Sequence, residues 1–290
     1  MKAIVYEKYG PPEVLQIKEV ETPSPKDNEV LIRVRATTVT RGDVRMRAFD
    51  VPRSQWLFAR LYLGVRKPKR AILGMSLAGE IESVGRKVTK FNVGDRVFAS
   101  TFGVSFGGYA EYKCFPEDGM IFHMPSNVSF EEAAAIPGGG NMAVKCLKKA
   151  NLREGTRVLI YGASGAIGTA SVQYAKALGA EVTGVCSSAN LDLVRSLGAD
   201  RVIDYTREDF TESGETYDVV FDAVDKFPRK RAKKALARGG TYLNAHDSTA
   251  HSGENHEEIF ALTELIESGK VKPVIDRCYS MDQIVEAHRY

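Results

Sequence analysis

The sequence predicts an α/β protein in which an all-β barrel module precedes a doubly wound parallel sheet. Three observations predict it. From Met1 to about Met124 the chain runs in short strands punctuated by glycine and proline. From Ser129 onward strand-like and helix-like stretches alternate, the pattern of a parallel sheet covered by helices. Within that second part, Arg157-Val158-Leu159-Ile160-Tyr161 runs straight into Gly162-Ala163-Ser164-Gly165-Ala166-Ile167-Gly168 and then into helix-forming residues that stop at Gly179.

In chain order, the first part offers strands at Ala3 to Tyr6, Glu29 to Thr38, Leu77 to Val84, Arg96 to Ser100 and Tyr109 to Phe115. Asp50 to Gly64 interrupts them with Trp56, Leu57, Phe58, Leu61, Tyr62 and Leu63, which predicts a helical insertion packing on the barrel or a flap over a pocket. Ser129 is placed to cap a helix whose first turn holds Glu131 and Glu132. Then come a strand at Val158 to Tyr161, a helix from Thr169 to Leu178, a strand at Glu181 to Val185 and a helix from about Leu191 to Leu197. Strands at Arg201 to Ile203, Val219 to Phe221 and Thr241 to Asn244 follow, with a basic helix before the last, and helices begin near His256 and Asp282.

The glycine turn carries the first functional statement. A short apolar strand, a glycine-spaced turn and a helix form the first unit of a Rossmann fold. There Gly162 permits the tight turn, Gly165 lets the backbone approach a pyrophosphate, and Gly168 lets helix pack on strand. Ser164, Ala166 and Ile167 line the same turn, where N–H groups of the helix start face the anion. The spacing is Gly-x-x-Gly-x-x-Gly, and the flanking elements make it a dinucleotide site.

Composition excludes other classes. With 290 residues, two domains are the default. Forty basic against 37 acidic residues leave only +3, and the clusters Arg66–Arg70 and Arg229–Lys234 carry no interleaved aromatics, so neither reads as a nucleic-acid site. Cys114, Cys146, Cys186 and Cys278 are scattered without metal spacing, as in a reducing, cytoplasmic setting. No leader and no membrane-spanning window is read, and no membrane is expected among the partners. The five histidines are isolated and no general acid is named; Tyr62 and Tyr109 are donors only if the fold brings them to the cofactor.

Two blocks together resemble the medium-chain dehydrogenase/reductase superfamily, in particular its zinc-free quinone oxidoreductase-like branch. One is Ala78-Gly79-Glu80-Ile81-Glu82-Ser83-Val84-Gly85 through Val93-Gly94-Asp95-Arg96-Val97-Phe98; the other is the glycine turn followed by Asp200–Tyr205 and Tyr217–Val224. The resemblance implies a GroES-like barrel at 1–124, with part of 271–290 returning towards it, and an NADP-binding Rossmann domain at 125–270. Where zinc-using members supply a cysteine and a Gly-His-Glu, this chain has Thr40 and Gly74-Met75-Ser76. No metal is therefore expected, Thr40 is placed in a substrate pocket, and hydride transfer to a quinone or enone is implied. Asn141 stands beside the place where relatives have a cofactor-binding threonine, Tyr205 matches a tyrosine set against the adenosine phosphate, and Ala223 and Val224 close the next strand on the cofactor.

An acid about 20 residues past the turn would select NAD. Here the second strand ends in Val185-Cys186-Ser187-Ser188-Ala189-Asn190, so NADPH is expected, with Ser187, Ser188 and Asn190 on the 2′-phosphate. Asp225 stands where glycine is common and is expected to oppose the cofactor's charge. Apart from Ala245, Ala250 and Gly253 only polar residues separate Asn244 from His256, so no sixth Rossmann strand is expected, nor a final strand returning to the barrel. The sequence leaves the oligomeric state open, a homodimer being one candidate. The competing readings are a zinc-free enoyl-thioester reductase, with Arg66–Arg70 near a pocket entrance, and an NADPH-binding structural or regulatory protein with little turnover.

Overall fold

The computed structural model describes residues 1–52, 56–245 and 255–290. They form two compact units, Met1–Ala135 with Ile275–Tyr290, and Ile136–Val274.

The first unit is the GroES-like barrel. Strands β1 (Lys2–Tyr6) and β2 (Leu15–Glu19) pair antiparallel. The larger sheet has five strands: β3 (Glu29–Thr37), β4 (Ser76–Val84), β5 (Arg96–Ser100), β6 (Tyr112–Pro116) and β7 (Ile121–His123). Their order is β6-β3-β4-β5-β7, antiparallel throughout. Their alternating apolar positions, Val30, Ile32, Leu77, Ile81, Val97, Ala99, Phe115 and Ile121, make one buried cluster with Phe91. The sequence pattern predicts neither β2 nor β7, nor the helix α1 (Arg41–Ala48). α1 has a local signal in Thr40-x-x-Asp43, whose side chains and backbone close a reciprocal cap.

The insertion is helix α2, Trp56–Leu63. Ser129 caps α3 (Phe130–Ala135) as expected: Glu132 N donates to Ser129 Oγ at 3.2 Å and Ser129 N to Glu132 Oε2 at 2.9 Å. Because α3 lies against β3, β4 and β5, the division of the chain falls after Ala135 and not at 124/125. The C-terminal helix Ile284–Arg289 belongs to the barrel unit. Its Ile284 joins the cluster of Ile4, Tyr6, Leu15, Leu73 and Tyr109, and its Arg289 pairs with Glu13. Among the described residues, no strand lies between Glu267 and Met281.

The second unit is the Rossmann sheet. Strands β8 (Arg157–Tyr161), β9 (Glu181–Cys186), β10 (Arg201–Asp204), β11 (Tyr217–Asp222) and β12 (Leu236–Asn244) are all parallel, in the order β10-β9-β8-β11-β12. The apolar runs predicted as strands are buried on both faces, as a parallel sheet requires. Among the described residues the sheet has these five strands; most of the segment from Asn244 to His256, where no sixth strand is expected, lies outside the described residues. Helix α4 (Asn141–Leu147) follows a wide turn at Ile136–Gly140, and α5 (Ala166–Ala177) follows β8. α5 starts three residues earlier than the sequence suggests and ends at Ala177, with Gly179 two residues on at a φ of +82° that suits a helix stop.

Candidate functional site

The strand order reverses at β8, so the carboxyl ends of β8, β9 and β11 frame the crevice where such sheets hold ligands. The three glycines of the turn do different things there. Gly162 has φ +81°, and a Cβ on it would lie 2.5 Å from Val224 Cγ1, so both backbone angle and space exclude a side chain. Gly168 would drive a Cβ into the Gly162 carbonyl oxygen and to 2.7 Å from Ala163 Cα; α5 sits directly on the turn. Gly165, the N-cap of α5, has φ −78° and ψ 170°, and the nearest atom to a Cβ would be Gly162 O at 3.5 Å. The glycine closest to the helix start therefore has room in front of it and no strain, while the left-handed angle belongs to Gly162. Ser164 lies in the turn, Ala166 and Ile167 open α5, and the first N–H groups of a helix have no intrahelical acceptor.

Asn141 opens α4, downstream of the same wide turn that packs Gly139 against the Ala166 carbonyl. Asn141 is buried, and its Oδ1 has no hydrogen-bond partner. A buried amide oxygen left alone is costly, and an N–H or O–H donor from a bound molecule would satisfy it.

At the end of β9, Ser187 Oγ accepts from Asn190 Nδ2 at 3.2 Å, which leaves its own proton available. Ser188 is placed differently from expectation. Its hydroxyl donates to Asp204 Oδ2 at 2.5 Å, because the parallel register sets Asp204 beside Cys186, two residues before Ser188. Sequence reasoning missed Asp204, the last residue of β10. Its carboxylate also accepts from Thr206 N and Thr206 Oγ1 and lies 3.5 Å from Arg207 Nε. The hydrogen bond from Ser188, then that from Thr206, holds its pKa below the usual carboxylate value. Tyr205 is half exposed, its ring 6.1 Å from that of Tyr161.

Ala223 and Val224 follow β11. Asp222 organises them: its Oδ1 accepts from Val224 N at 3.1 Å and its Oδ2 from Phe227 N at 2.7 Å, while burial pushes its carboxyl up. Asp225 has φ +55°, the angle that favours glycine, and its Oδ1 accepts from Asn244 Nδ2 at 2.7 Å. A cavity of about 460 Å³ adjoins it, lined by Asp225 to Arg229, Tyr242 and Asn244. The lone acid expected at Asp225 thus has Lys226 and Arg229 for neighbours.

In the barrel unit, Thr40 and Met75 meet, as do the positions where zinc-using relatives carry ligands. Thr40 Oγ1 lies 3.7 Å from Met75 Sδ and donates to Asp43 Oδ2 at 2.6 Å, while Ser76 Oγ is 2.6 Å from Thr38 Oγ1. Asp43 is fully buried and also accepts from Thr40 N and Gly74 N; burial pushes its carboxyl up to about 6 against those hydrogen bonds. Among the described residues no three His, Cys, Asp or Glu side chains cluster. A hydroxyl already bonded to a carboxylate and a thioether do not fit zinc. Elsewhere in this unit, Tyr109 Oη is 3.2 Å from His288 Nε2, whose ring is buried, with a pKa lowered to about 4 by burial and by Arg47.

Comparison with known proteins gives these features a family. The model of the alcohol dehydrogenase GroES-like domain matches residues 26–126, and models of the zinc-binding dehydrogenase match 166–245 and 243–290. The chain is 32% identical over 307 residues to 2-methylene-furan-3-one reductase of Solanum lycopersicum, covering 100% of this chain and 76% of that protein. The chain belongs to the medium-chain dehydrogenase/reductase superfamily, in its quinone oxidoreductase-like branch. It is also 32% identical to the chloroplastic NADPH-dependent alkenal/one oxidoreductase of Arabidopsis thaliana, over 95% of this chain and 72% of that one. The solved quinone oxidoreductase of Coxiella burnetii superposes with a TM-score of 0.86 at 27% identity, covering 100% of this chain and 94% of that one. Membership of this branch makes the protein an oxidoreductase of the quinone and alkenal reductase kind, acting on small molecules with a nicotinamide cofactor.

Proposed function

We propose that the protein is a zinc-independent, NADPH-dependent reductase of enones, enals or quinones. The observation that carries this reading is the chemistry at the metal positions. Thr40, Met75 and Ser76 supply two hydroxyls and a thioether, and the carboxylate beside them, Asp43, is held by Thr40 and Gly74. Without a Lewis acid the substrate must already be electrophilic, as a conjugated carbonyl or quinone ring is.

The nucleotide residues fit a dinucleotide. The open space before Gly165 and the first N–H groups of α5 would take the pyrophosphate, and Gly162, Ser164, Ala166, Ile167 and Gly168 form the turn around it. The orphaned Oδ1 of Asn141 would accept from the cofactor. Ala223 and Val224, fixed by Asp222, would pack on it. Ser187 and Asn190, with Tyr205 beside them, would hold the 2′-phosphate. Ser188 acts through Asp204, whose charge Arg207 offsets. The name of the Arabidopsis relative, NADPH-dependent, supports the same preference. When bound, reduced nicotinamide supplies the hydride. The protein's own part is to bind, to orient and to keep water out, with Thr40 and Met75 as walls of the substrate pocket.

The test follows NADPH oxidation with a quinone and with a simple enone, before and after strong chelation, alongside elemental analysis. Turnover that survives chelation is expected. About one tightly held zinc per chain, or activity lost to the chelator, would overturn zinc independence. NADPH binding without turnover on either substrate class would favour a regulatory role.

A further inference from the structure

Helix α2 is built inside out. At about 3.6 residues per turn, Leu57, Phe58, Leu61 and Tyr62 share one arc, and they are 66%, 81%, 58% and 53% exposed. The charge is on the opposite arc. The guanidinium of Arg60 lies 3.8 Å from the Phe49 ring centre, 5.1 Å from that of Trp56 and 5.2 Å from that of Tyr9. Its Nη1 donates to Val65 O at 3.1 Å, and its Nε is buried among these rings without a hydrogen-bond partner. A surface helix normally does the reverse, apolar inward and charged outward. Val65, 62% exposed, extends the apolar patch beyond the helix.

The segment that follows is cationic. From Trp56 to Gly79 the chain carries Arg60, Arg66, Lys67, Lys69 and Arg70 and no acid, whereas the whole chain is nearly balanced at +3. These cations sit at the end of the helix: Lys69 Nζ donates to Leu61 O at 2.7 Å and Arg70 Nη1 to Tyr62 Oη at 2.9 Å, with Arg66 and Lys67 exposed.

We propose that α2 and Arg66–Arg70 dock the protein on an anionic bilayer surface. The arc of Leu57, Phe58, Leu61 and Tyr62 enters the headgroup boundary and the cations meet lipid phosphates. An eight-residue helix cannot span, so it lies in the surface plane. Charge decides between a bilayer and a second copy of this chain. A two-fold contact would bring the patch onto itself and set Arg66, Lys67, Lys69 and Arg70 against their copies; the segment holds no acid, and Glu7, engaged first by Lys18 and only weakly by Lys67, is too little to offset them. The proposal does not depend on the reductase reading.

Trp56 is the only tryptophan in the chain and opens this helix, so its emission reports on the site. The full chain is mixed with phosphatidylcholine vesicles, with and without phosphatidylglycerol, and sedimented. Binding to the anionic vesicles with a blue shift of Trp56, reversed by salt, is expected. Arg66→Glu with Lys67→Glu should weaken it by well over tenfold, since each cation contributes roughly fivefold. Phe58→Glu with Leu61→Glu should abolish both binding and blue shift in a protein with unchanged circular dichroism. Three results would overturn the proposal: no sedimentation with anionic vesicles at low salt; a dimer that Phe58→Glu with Leu61→Glu dissociates while vesicles never bind; or a changed KM for quinone in that variant without vesicle binding, which would make α2 a flap.

Discussion

Replacing Gly165 by valine separates the two jobs of the glycine turn. Its backbone, φ −78° and ψ 170°, lies in the region β-branched residues favour, and a Cβ there meets nothing closer than 3.5 Å. Stability should therefore change by less than about 1 kcal/mol, and the loss of glycine's freedom in the unfolded chain acts in favour of the variant. The new methyl groups would fill the space before the first turn of α5. Each charge-assisted hydrogen bond lost to a pyrophosphate is worth about 1.5–3 kcal/mol, so affinity should fall roughly tenfold to a hundredfold for each one, equally for NADPH and NADH. Gly168→Ala is the contrast, since its Cβ would strike the Gly162 carbonyl and approach Ala163 Cα to 2.7 Å. It should cost about 1–3 kcal/mol or more in overpacking. Calorimetric titration with both nucleotides, beside thermal unfolding, reads the two effects. Undiminished affinity in folded Gly165→Val would reduce the turn to a structural connection and refute the reasoning.

Further outcomes follow from the remaining groups. Ser187→Asp should erase or reverse a preference for NADPH, by about tenfold or more, because a carboxylate beside the 2′-phosphate repels it; equal parent affinities for NADPH and NADH would reject the assignment. Asp43, raised to about 6, makes the folded state hold its proton longer than the unfolded chain, so its contribution declines as pH rises from about 4 through 6. The stability gap between the parent and Asp43→Asn should therefore shift against the parent by up to ~3 kcal/mol over that window, measured by denaturant unfolding at several pH values. His288, lowered to about 4, acts in the opposite sense. Its contribution is complete above about 6.5 and is lost as pH falls through about 4, up to ~3 kcal/mol. Hydrogen exchange in Ile284–Arg289 should rise steeply in that range in the parent and much less in His288→Phe.

Much of the site is legible in the sequence. The roles of Gly162 and Gly168 can be read because a left-handed angle and a close helix contact each demand glycine at one place in a strand–turn–helix. Thr40 and Met75 can be read as poor ligands from their chemistry alone. The capping pair Thr40 and Asp43 is equally local and marks α1, which a strand-by-strand reading passes over. β7, three residues long, is too short to carry a pattern, whereas β2 does alternate at Leu15, Gln16, Ile17 and Lys18 and is passed over.

The sequence by itself determined the class of the two units, most of their strands, the strand–turn–helix around Gly162 to Gly168 and the residue types at Thr40, Met75 and Ser76, because each rests on residue type within a few positions. Outside such local caps, tertiary structure alone decided which polar groups meet. Ser188 meets Asp204 only through the register of β9 with β10, and Asp225 meets Asn244 only because β12 lies beside β11. Asn141 is buried with an amide oxygen that no donor reaches. The orientation of α2 was likewise undetermined, since a run of Trp, Leu, Phe, Leu and Tyr with one arginine fits an inward apolar face at least as well. Three aromatic rings, from β1's extension, from the end of α1 and from α2 itself, gather around Arg60 and turn the apolar arc outward. These contacts are made between segments far apart in the chain, and short-range pattern holds no record of which segments will meet.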